Sequence, residues 1–403
     1  MATIPLQEPV YKGDTGPVFF AAGFRPFFLF SAVQAAVMLP LWLMVFFGAL
    51  PFPSGWPPVV WHAHAMAFGF AGAAVGGFLL TAVPSWTNSH HVSGRPLLLL
   101  FTLWLAGRLA IALAGLLPAL LVALIDLAYL PLLAVLLAQP LIRAGKWRNI
   151  AFLPILALFW LGDLGTHAEV LAGTNTGLPG VYLGIFVLLL MIAIVGGRII
   201  PSFTQNWLRL QGRPMELTPV AWIEKGGAAA SVVLAALAQE LAPSSPLAGA
   251  LALIAALVHA YRLSGWHGAK TFGNPILAVL HVGYGWMVAG FALLGLSAFV
   301  ADLPTSAAVH ALTAGCIGTM VMAVMSRAAL GHAGRPLLVS PVIVAAYGLI
   351  SAGAVLRVAA PVIPGAMAGL TLAGGLVWTA AWLAFVVIYW PILTRPRADG
   401  RPG

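Results

Sequence analysis

Residues 61–83 read WHAHAMAFGFAGAAVGGFLLTAV, an apolar stretch that carries two histidines and no Asp, Glu, Lys or Arg. A stretch of about 20 apolar residues is long enough to cross the hydrocarbon core of a bilayer as a helix. The rest of the chain is similar, since 61% of its 403 residues are hydrophobic, 7% are charged and its mean hydropathy is +1.00. Soluble domains carry about a quarter charged residues, so this composition predicts a polytopic membrane protein.

Apolar windows separated by loop residues predict about twelve transmembrane helices in a single polytopic membrane domain, residues 1–403. The predicted spans are residues 27–49, 61–83, 97–117, 119–140, 149–171, 178–200, 218–240, 245–262, 274–298, 304–328, 338–358 and 365–391. Met1–Gly23 lacks the basic-then-apolar order of a signal peptide, so we expect the first helix to be retained. The single cysteine, Cys316, excludes a disulfide framework and a thiolate-held metal cluster.

The basic residues predict the orientation of the helices. Loops after the even-numbered helices contain or adjoin Lys and Arg, whereas the intervening loops are nearly free of them, with Arg357 as the main exception. The basic residues behind the formal net charge of +9 are scattered over loops, so they indicate the orientation of the helices and give no reason to expect a nucleic-acid partner. By the positive-inside rule, we expect both termini in the cytoplasm and the chain in the lipid bilayer of a cytoplasmic membrane.

The tripeptide Gly-Arg-Pro occurs at residues 94–96, 212–214 and 334–336, at separations of 118 and 122 residues. Helix 2 opens with His64-Ala65 and helix 10 opens with His310-Ala311. Chance repetition in a Gly-, Ala- and Leu-rich chain is the alternative. The spacing favours three parallel four-helix repeats around a pseudo-threefold axis, roughly residues 25–140, 147–262 and 272–391.

The ten histidines are the main candidates for ligands, because imidazole is costly in hydrocarbon unless it has a use. Two imidazoles from facing helices are ordinary axial ligands of a six-coordinate haem, so the repeat predicts His64 and His310 as a metal-ligating pair. Hydrogen-bonded packing histidines are the alternative. Further cofactor-binding candidates are His62, His259 and His281. His62 is also a metal candidate, although it lies about 200° from His64 on a regular helix.

A second candidate group lies at the end of helix 5. His167 shares this end with Glu169 and lies one turn from Asp163. The group is interpreted either as a second metal site, for copper or iron with His167 as a ligand, or as a proton relay. In both cases Glu169 and Asp163 are the candidate catalytic residues. A polar helix end exposed at the membrane interface is the structural alternative.

Other charged residues in the predicted helices have a structural interpretation. Arg108 in helix 3 and Asp126 in helix 4 lie at similar depths and are expected to neutralise each other. Glu224 and Lys225 in helix 7 are expected to form another internal pair. The loop histidines His90, His91 and His332 are expected to be structural.

The sequence resembles the NnrS family of bacterial inner-membrane proteins. The resemblance rests on the following segments: Gly23-Phe24-Arg25-Pro26-Phe27-Phe28; Trp61-His62-Ala63-His64-Ala65-Met66 with Phe68-Gly69-Phe70; Gly77-Phe78-Leu79-Leu80-Thr81-Ala82-Val83-Pro84; and Gly196-Gly197-Arg198-Ile199-Ile200-Pro201. It implies a haem- and copper-containing protein of the bacterial inner membrane, linked to nitric oxide and nitrosative stress. One or two b haems are expected, with copper as a further candidate.

Three functions remain open at the level of the sequence. The leading hypothesis is an oxidoreductase that reduces nitric oxide to nitrous oxide with electrons from a quinol or a cytochrome. The first alternative is a protein that binds or senses nitric oxide without turnover. The second, a transporter for a metal or metal–nitrosyl species, is disfavoured by the parallel four-helix period, because many transporters have inverted repeats.

Overall fold

The computed structural model describes residues 16–51, 55–174, 178–217 and 219–402. This described part of the chain is helical and contains no strand. Eleven of its helices are long and apolar enough to cross a membrane. The prediction of an all-α protein with many membrane-length helices is therefore confirmed.

We number twelve helices in chain order: α1 Phe24–Phe46, α2 Pro58–Thr87, α3 Arg95–Ala112, α4 Ala119–Ala144, α5 Trp147–Ala172, α6 Leu178–Leu210, α7 Ala228–Leu241, α8 Pro246–Ser264, α9 Pro275–Leu296, α10 Thr305–His332, α11 Pro341–Ala359 and α12 Met367–Thr394. All except α7 have the length and hydropathy of a membrane span.

The seventh predicted span, residues 218–240, is not one continuous membrane-length helix. Residue 218 lies outside the described residues. A π-helical turn over Ile223–Gly227 comes first, and Gly226 within it has a φ of 154°, which an L side chain rarely adopts. The α-helix that follows, α7, has 14 residues and is about 21 Å long, shorter than the roughly 30 Å core of a bilayer.

Helix ends follow local sequence signals. Ser245 precedes Pro246 at the start of α8, and its hydroxyl accepts a hydrogen bond from the amide of Ala248 at 3.1 Å. Gly145 and Gly173 end α4 and α5 in the left-handed conformation, which glycine adopts without steric cost. These signals set the short connections between neighbouring antiparallel helices.

Two of the membrane-length helices contain a seven-residue π-helical segment directly after a histidine. Ala65–Ala71 follows His64 in α2, and Ala311–Ile317 follows His310 in α10. Both segments belong to the pattern His-Ala-x3-Gly-x2-Gly, which ends at Gly72 in α2 and at Gly318 in α10. π-helical turns are rare and occur frequently at functional sites. The threefold repeat itself stays a prediction.

Contacts divide the chain into two compact units. The first consists of the described residues of Met1–Gly184, Met325–Leu337 and Phe385–Gly403. The second consists of the described residues of Ile185–Val324 and Leu338–Ala384. Each unit has its own group of buried polar side chains, and each is described by itself below.

Candidate metal centre

Four buried side chains in the first unit bring two imidazoles and two carboxylates together. His64 comes from α2, Asp126 from α4, and Asp163 and His167 from α5. Asp163 and His167 are four residues apart, so both lie on the same face of α5. Each residue offers one ligand atom, and these four atoms lie within 4.8 Å of one another. We call this group the His2Asp2 cluster.

Nitrogen and oxygen atoms alternate around the cluster. His64 Nε2 lies 2.7 Å from Asp163 Oδ1 and 3.1 Å from Asp126 Oδ2. His167 Nε2 lies 3.1 Å from the same Asp126 oxygen and 3.8 Å from Asp163 Oδ1. Four donors bound to a tetrahedral metal at about 2.1 Å are separated by about 3.4 Å, so these spacings suit a single metal ion.

The charges of the cluster also fit a cation. Arg108 from α3 donates a hydrogen bond to Asp126 Oδ1, which confirms the expected Arg108–Asp126 pair. The guanidinium neutralises one carboxylate, and the charge of Asp163 is then left for a second cation. Either a bound metal or a proton on one of the imidazoles supplies that charge, and both keep the buried site near neutrality.

The surroundings of the cluster are apolar. The Trp56 ring makes edge-on contacts with His64 and His167, each at a centroid distance of 5.0 Å. Trp56 belongs to a buried hydrophobic core with Met38, Val60, Trp61, Ala65, Ala110, Ile111, Ala114 and Val122. Water-excluding walls of this kind strengthen the electrostatic interactions inside the cluster.

The donor set restricts the type of metal. Imidazole suits iron, copper and zinc, and mixed nitrogen and oxygen ligands are typical of copper(II) and of non-haem iron(II). The only thiol, Cys316, belongs to the second unit and is not part of the set. The residues of the cluster therefore fit a zinc, copper or non-haem iron ion.

Two acidic residues that the sequence places at the same helix end, Asp163 and Glu169, are separate in the structure. Asp163 belongs to the cluster, whereas Glu169 lies outside it and is half-buried. Glu169 follows His167 by two residues, or about 200° around the helix, and therefore faces another way. Asp126, which was expected only to neutralise Arg108, supplies the second carboxylate. Its similar depth to Arg108 was the available signal, but no spacing rule connects Asp126 to His64.

The other predicted ligands lie elsewhere. His62 stacks on Trp42 at 4.5 Å with an angle of 11° between the rings, and it is not part of the cluster. His310 belongs to the second unit, where its Nδ1 lies 2.7 Å from the Ser306 carbonyl oxygen. The pairing of His64 with His310 as haem ligands stays a prediction.

His259 and His281, also in the second unit, each make a polar contact. His281 Nε2 lies 3.0 Å from the hydroxyl of Thr204, and that hydroxyl donates to the Ile200 carbonyl. The imidazole must therefore donate from Nε2, which leaves Nδ1 as the bare nitrogen. Both nitrogens of His259 have partners, because Nδ1 lies 2.7 Å from the Tyr284 hydroxyl and Nε2 lies 3.4 Å from the Ser231 hydroxyl.

The second unit also contains a buried ion pair that differs from the expected one. Arg262 donates to both carboxylate oxygens of Glu224, at 2.8 and 2.5 Å. The expected Glu224–Lys225 pair is therefore wrong, because adjacent residues on a helix point in different directions. Arg262 also donates to the Tyr284 hydroxyl at 3.0 Å.

Comparison with known proteins gives a match over nearly the whole chain. The sequence model of a family described as NnrS protein matches residues 18–397. The matched range includes every member of the His2Asp2 cluster and both histidines that precede π-helical segments. No curated protein matches the chain.

Proposed function

Because the chain belongs to the NnrS family, we propose that it reduces nitric oxide at a metal ion held by the His2Asp2 cluster. Family membership indicates a membrane protein related to nitric oxide. The observation that supports the proposal is the cluster itself, since four buried donor atoms within 4.8 Å of one another could hold a metal ion among helices long enough to cross a membrane.

The proposed reaction couples two molecules of nitric oxide to nitrous oxide and water, with two electrons and two protons. A bound iron or copper ion would supply a coordination site for nitric oxide and a route for electrons. His64, His167, Asp126 and Asp163 would hold that ion. Arg108 donates a hydrogen bond to Asp126 Oδ1, and Asp126 Oδ2 faces the imidazoles. The hydrogen bond therefore fixes the orientation of this carboxylate.

The two carboxylates have different roles in the proposal. The charge of Asp126 is neutralised by Arg108, whereas Asp163 contacts only the imidazoles of the cluster. Asp163 therefore keeps the negative charge that a bound metal cation would balance. Nitric oxide is small and uncharged, so it can reach the site through apolar side chains such as Trp56 and Phe68 without the desolvation cost of an ion.

The test uses the purified full-length protein in detergent. Bound iron and copper are measured first, followed by nitrous oxide formed from nitric oxide under anaerobic conditions with dithionite as reductant. We expect about one metal ion per chain, and its loss together with nitrous oxide formation in Asp163→Asn and His167→Gln. His90→Gln, at an exposed loop position, is the matched histidine control for metal content. Unchanged metal content and product formation in both cluster variants would refute the proposal.

A second candidate function is the binding of nitric oxide without turnover. It is favoured by the completeness of the cluster, because four protein donors fill a tetrahedral site and catalytic sites usually keep one position open. A metal-loaded protein whose spectrum changes with nitric oxide, but which forms no nitrous oxide with reductant, would establish this alternative.

Three parts of the proposal come from the sequence and the family resemblance: a haem, a bacterial inner-membrane location with cytoplasmic termini, and the threefold repeat. The matching π-helical segments after His64 and His310 support the repeat. The carboxylates around His64 favour a non-haem metal at that residue. No step proposed above depends on a haem, and a pyridine haemochrome assay tests for one.

A further inference from the structure

A second polar site lies in the second unit, near the start of α10 and the end of α11. These antiparallel helices pack against each other at this end, which brings His310 and Arg357 into the same region. The positive charge of Arg357 acts on the His310 imidazole. Neither residue is part of the His2Asp2 cluster.

Arg357 has no partner for its charge among the residues that the structure describes. Its Nη1 atom is buried and makes no hydrogen bond, and no carboxylate among the described residues forms an ion pair with the guanidinium. An uncompensated charge at the level of a membrane helix is costly, and such residues commonly mark functional sites. A bound molecule with an oxygen acceptor would satisfy the buried Nη1 atom.

His310 presents a bare nitrogen beside this guanidinium. Its Nδ1 lies 2.7 Å from the Ser306 carbonyl oxygen, which can only accept a hydrogen bond. The proton of the neutral imidazole must therefore sit on Nδ1, and Nε2 keeps a lone pair that can accept a proton. His310 is half-buried.

A flat aromatic surface lies about one and a half helical turns further into the same unit. The Trp286 indole nitrogen donates to the Ser351 hydroxyl at 3.2 Å, and this contact joins α9 to α11. The indole ring packs against Gly315 of α10, where a Cβ atom would come within 2.6 Å of the ring. The half-buried Trp286 ring provides an apolar surface beyond the two polar side chains.

We propose that His310 and Arg357 form a binding site for a membrane quinol. A hydroxyl group of the quinol would donate to His310 Nε2, and an oxygen of the same molecule would accept from Arg357. A lipid phosphate would satisfy Arg357 but offers no donor to the imidazole lone pair. A quinol satisfies both groups, and it dissolves in the bilayer that the membrane-length helices α10 and α11 are expected to cross.

The inference rests on the proposed function, because that reaction consumes two electrons and two protons. A quinol that becomes a quinone releases the same numbers. In this step His310 Nε2 takes one hydroxyl proton, while Arg357 stabilises the negative charge that develops on oxygen. The second proton leaves to water at the membrane interface, and both electrons are consumed in the reduction of nitric oxide.

The site makes a sharp distinction between the two redox forms of the ligand. Quinone oxygens only accept hydrogen bonds, so Arg357 binds both forms, whereas the lone pair of His310 favours the quinol alone. The probes are decylubiquinone and decylubiquinol, titrated against the full-length protein in phosphatidylcholine nanodiscs. We expect Arg357→Gln to weaken the binding of both probes at least tenfold.

His310→Phe is expected to weaken quinol binding at least fivefold and to change quinone binding less than twofold. Arg357→Lys keeps the charge and is expected to retain quinone binding within about fivefold, which guards against misfolding as an explanation. Arg213→Gln removes an exposed arginine of the same unit and is the matched control, with both affinities expected to match the wild type.

Four results would overturn the quinol site: unchanged binding of both probes in Arg357→Gln, equal loss of both probes in His310→Phe, displacement of the probes by phosphatidylglycerol, or disappearance of a haem absorption band in His310→Phe. The proposed function fails by a different result, which is no nitrous oxide from the wild-type protein with dithionite. The binding measurements do not depend on that outcome.

Discussion

At the scale of single residues, Arg108 determines how the two cluster carboxylates differ. It is buried, and it occupies one oxygen of Asp126 while the other oxygen contacts both imidazoles. Buried charges are tolerated when they are paired, and the removal of one partner leaves the other exposed to the full cost of desolvation. Breaking the Arg108–Asp126 pair should therefore lower the free energy of unfolding more than breaking a surface ion pair.

We predict that Arg108→Met lowers the free energy of unfolding by about 3 kcal/mol, because it leaves the Asp126 carboxylate without its guanidinium. The double variant Arg108→Met/Asp126→Asn should be less destabilised than the sum of the two single variants. Thermal unfolding of the four proteins in detergent measures this coupling. Additive effects would mean that the two side chains do not stabilise each other.

A second prediction at this scale concerns His91, a buried loop residue between α2 and α3. Burial, together with the nearby charges of His332 and Arg397, lowers the pKa of His91 from 6.5 to about 4. The unfolded chain therefore binds a proton at a higher pH than the folded chain does. The free energy of unfolding is therefore unaffected by His91 above pH 6.5, where the ring is neutral in both states. It falls by about 3 kcal/mol as the pH drops from 6.5 to 4, because only the unfolded chain takes up the proton.

His91→Asn should therefore reduce the loss of thermal stability between pH 7 and pH 5 relative to the wild type. His90→Asn is the matched control, since His90 is an exposed neighbour in the same loop. Parallel pH profiles for the wild type and His91→Asn would contradict the assignment.

At the scale of elements, the π-helical segment of α2 brings a glycine backbone against the cluster. A Cβ atom on Gly69 would lie 2.8 Å from Arg108 Nη1 and 3.0 Å from Gln34 Nε2. The Trp104 indole donates to the Gly69 carbonyl at 3.1 Å, which holds this backbone in place. The absence of a side chain at Gly69 thus allows Arg108 to reach Asp126.

We predict that Gly69→Ala destabilises the protein and lowers the metal content of the cluster, because the new methyl group displaces the Arg108 guanidinium. Gly72→Ala in the same helix is the control, since its Cβ atom would only meet Phe159 at an ordinary contact distance of 3.7 Å. Helix propensity alone favours alanine at both positions by about 1 kcal/mol. Equal thermal stability and metal content in the two variants would show that Arg108 does not depend on Gly69.

At the scale of the whole molecule, the sequence predicts membrane-length helices well and side-chain clusters poorly. The length of an apolar stretch can be counted directly in the sequence. Among the described residues, eleven of the predicted spans accordingly correspond to helices long enough to cross a membrane. The seventh span is not one membrane-length helix, because Gly226, next to Glu224 and Lys225, interrupts a stretch that is otherwise mostly apolar. Hydropathy does not register a glycine with an unusual backbone angle.

The cluster shows the same limit. Asp163 and His167 are linked by helical spacing, which can be read from the sequence, whereas Asp126 and His64 join them through the packing of α2 and α4 around α5. The depth of a residue along its helix follows from the sequence. The direction in which its side chain points depends on neighbouring helices, and this direction separates Asp163 from Glu169.

The last prediction concerns the end of the chain, which is tied to distant segments of the first unit. The buried Arg25 guanidinium donates to the carbonyl oxygens of Leu393 and Arg395 at 3.0 and 2.8 Å. Arg397 donates to the His332 carbonyl at 3.1 Å and is paired with Asp399. These bonds join the start of α1, the end of α10 and the segment after α12.

We predict that Arg397→Gln lowers the thermal midpoint by a few degrees and makes the C-terminal segment more sensitive to limited proteolysis. The physical reason is the loss of charge-assisted hydrogen bonds from a buried side chain, each worth about 1.5–3 kcal/mol. Arg401→Gln is the matched control, because the Arg401 side chain is 63% exposed and lies 4.0 Å from Asp399. If both variants melt and are cleaved like the wild type, the contacts of Arg397 do not hold the end of the chain.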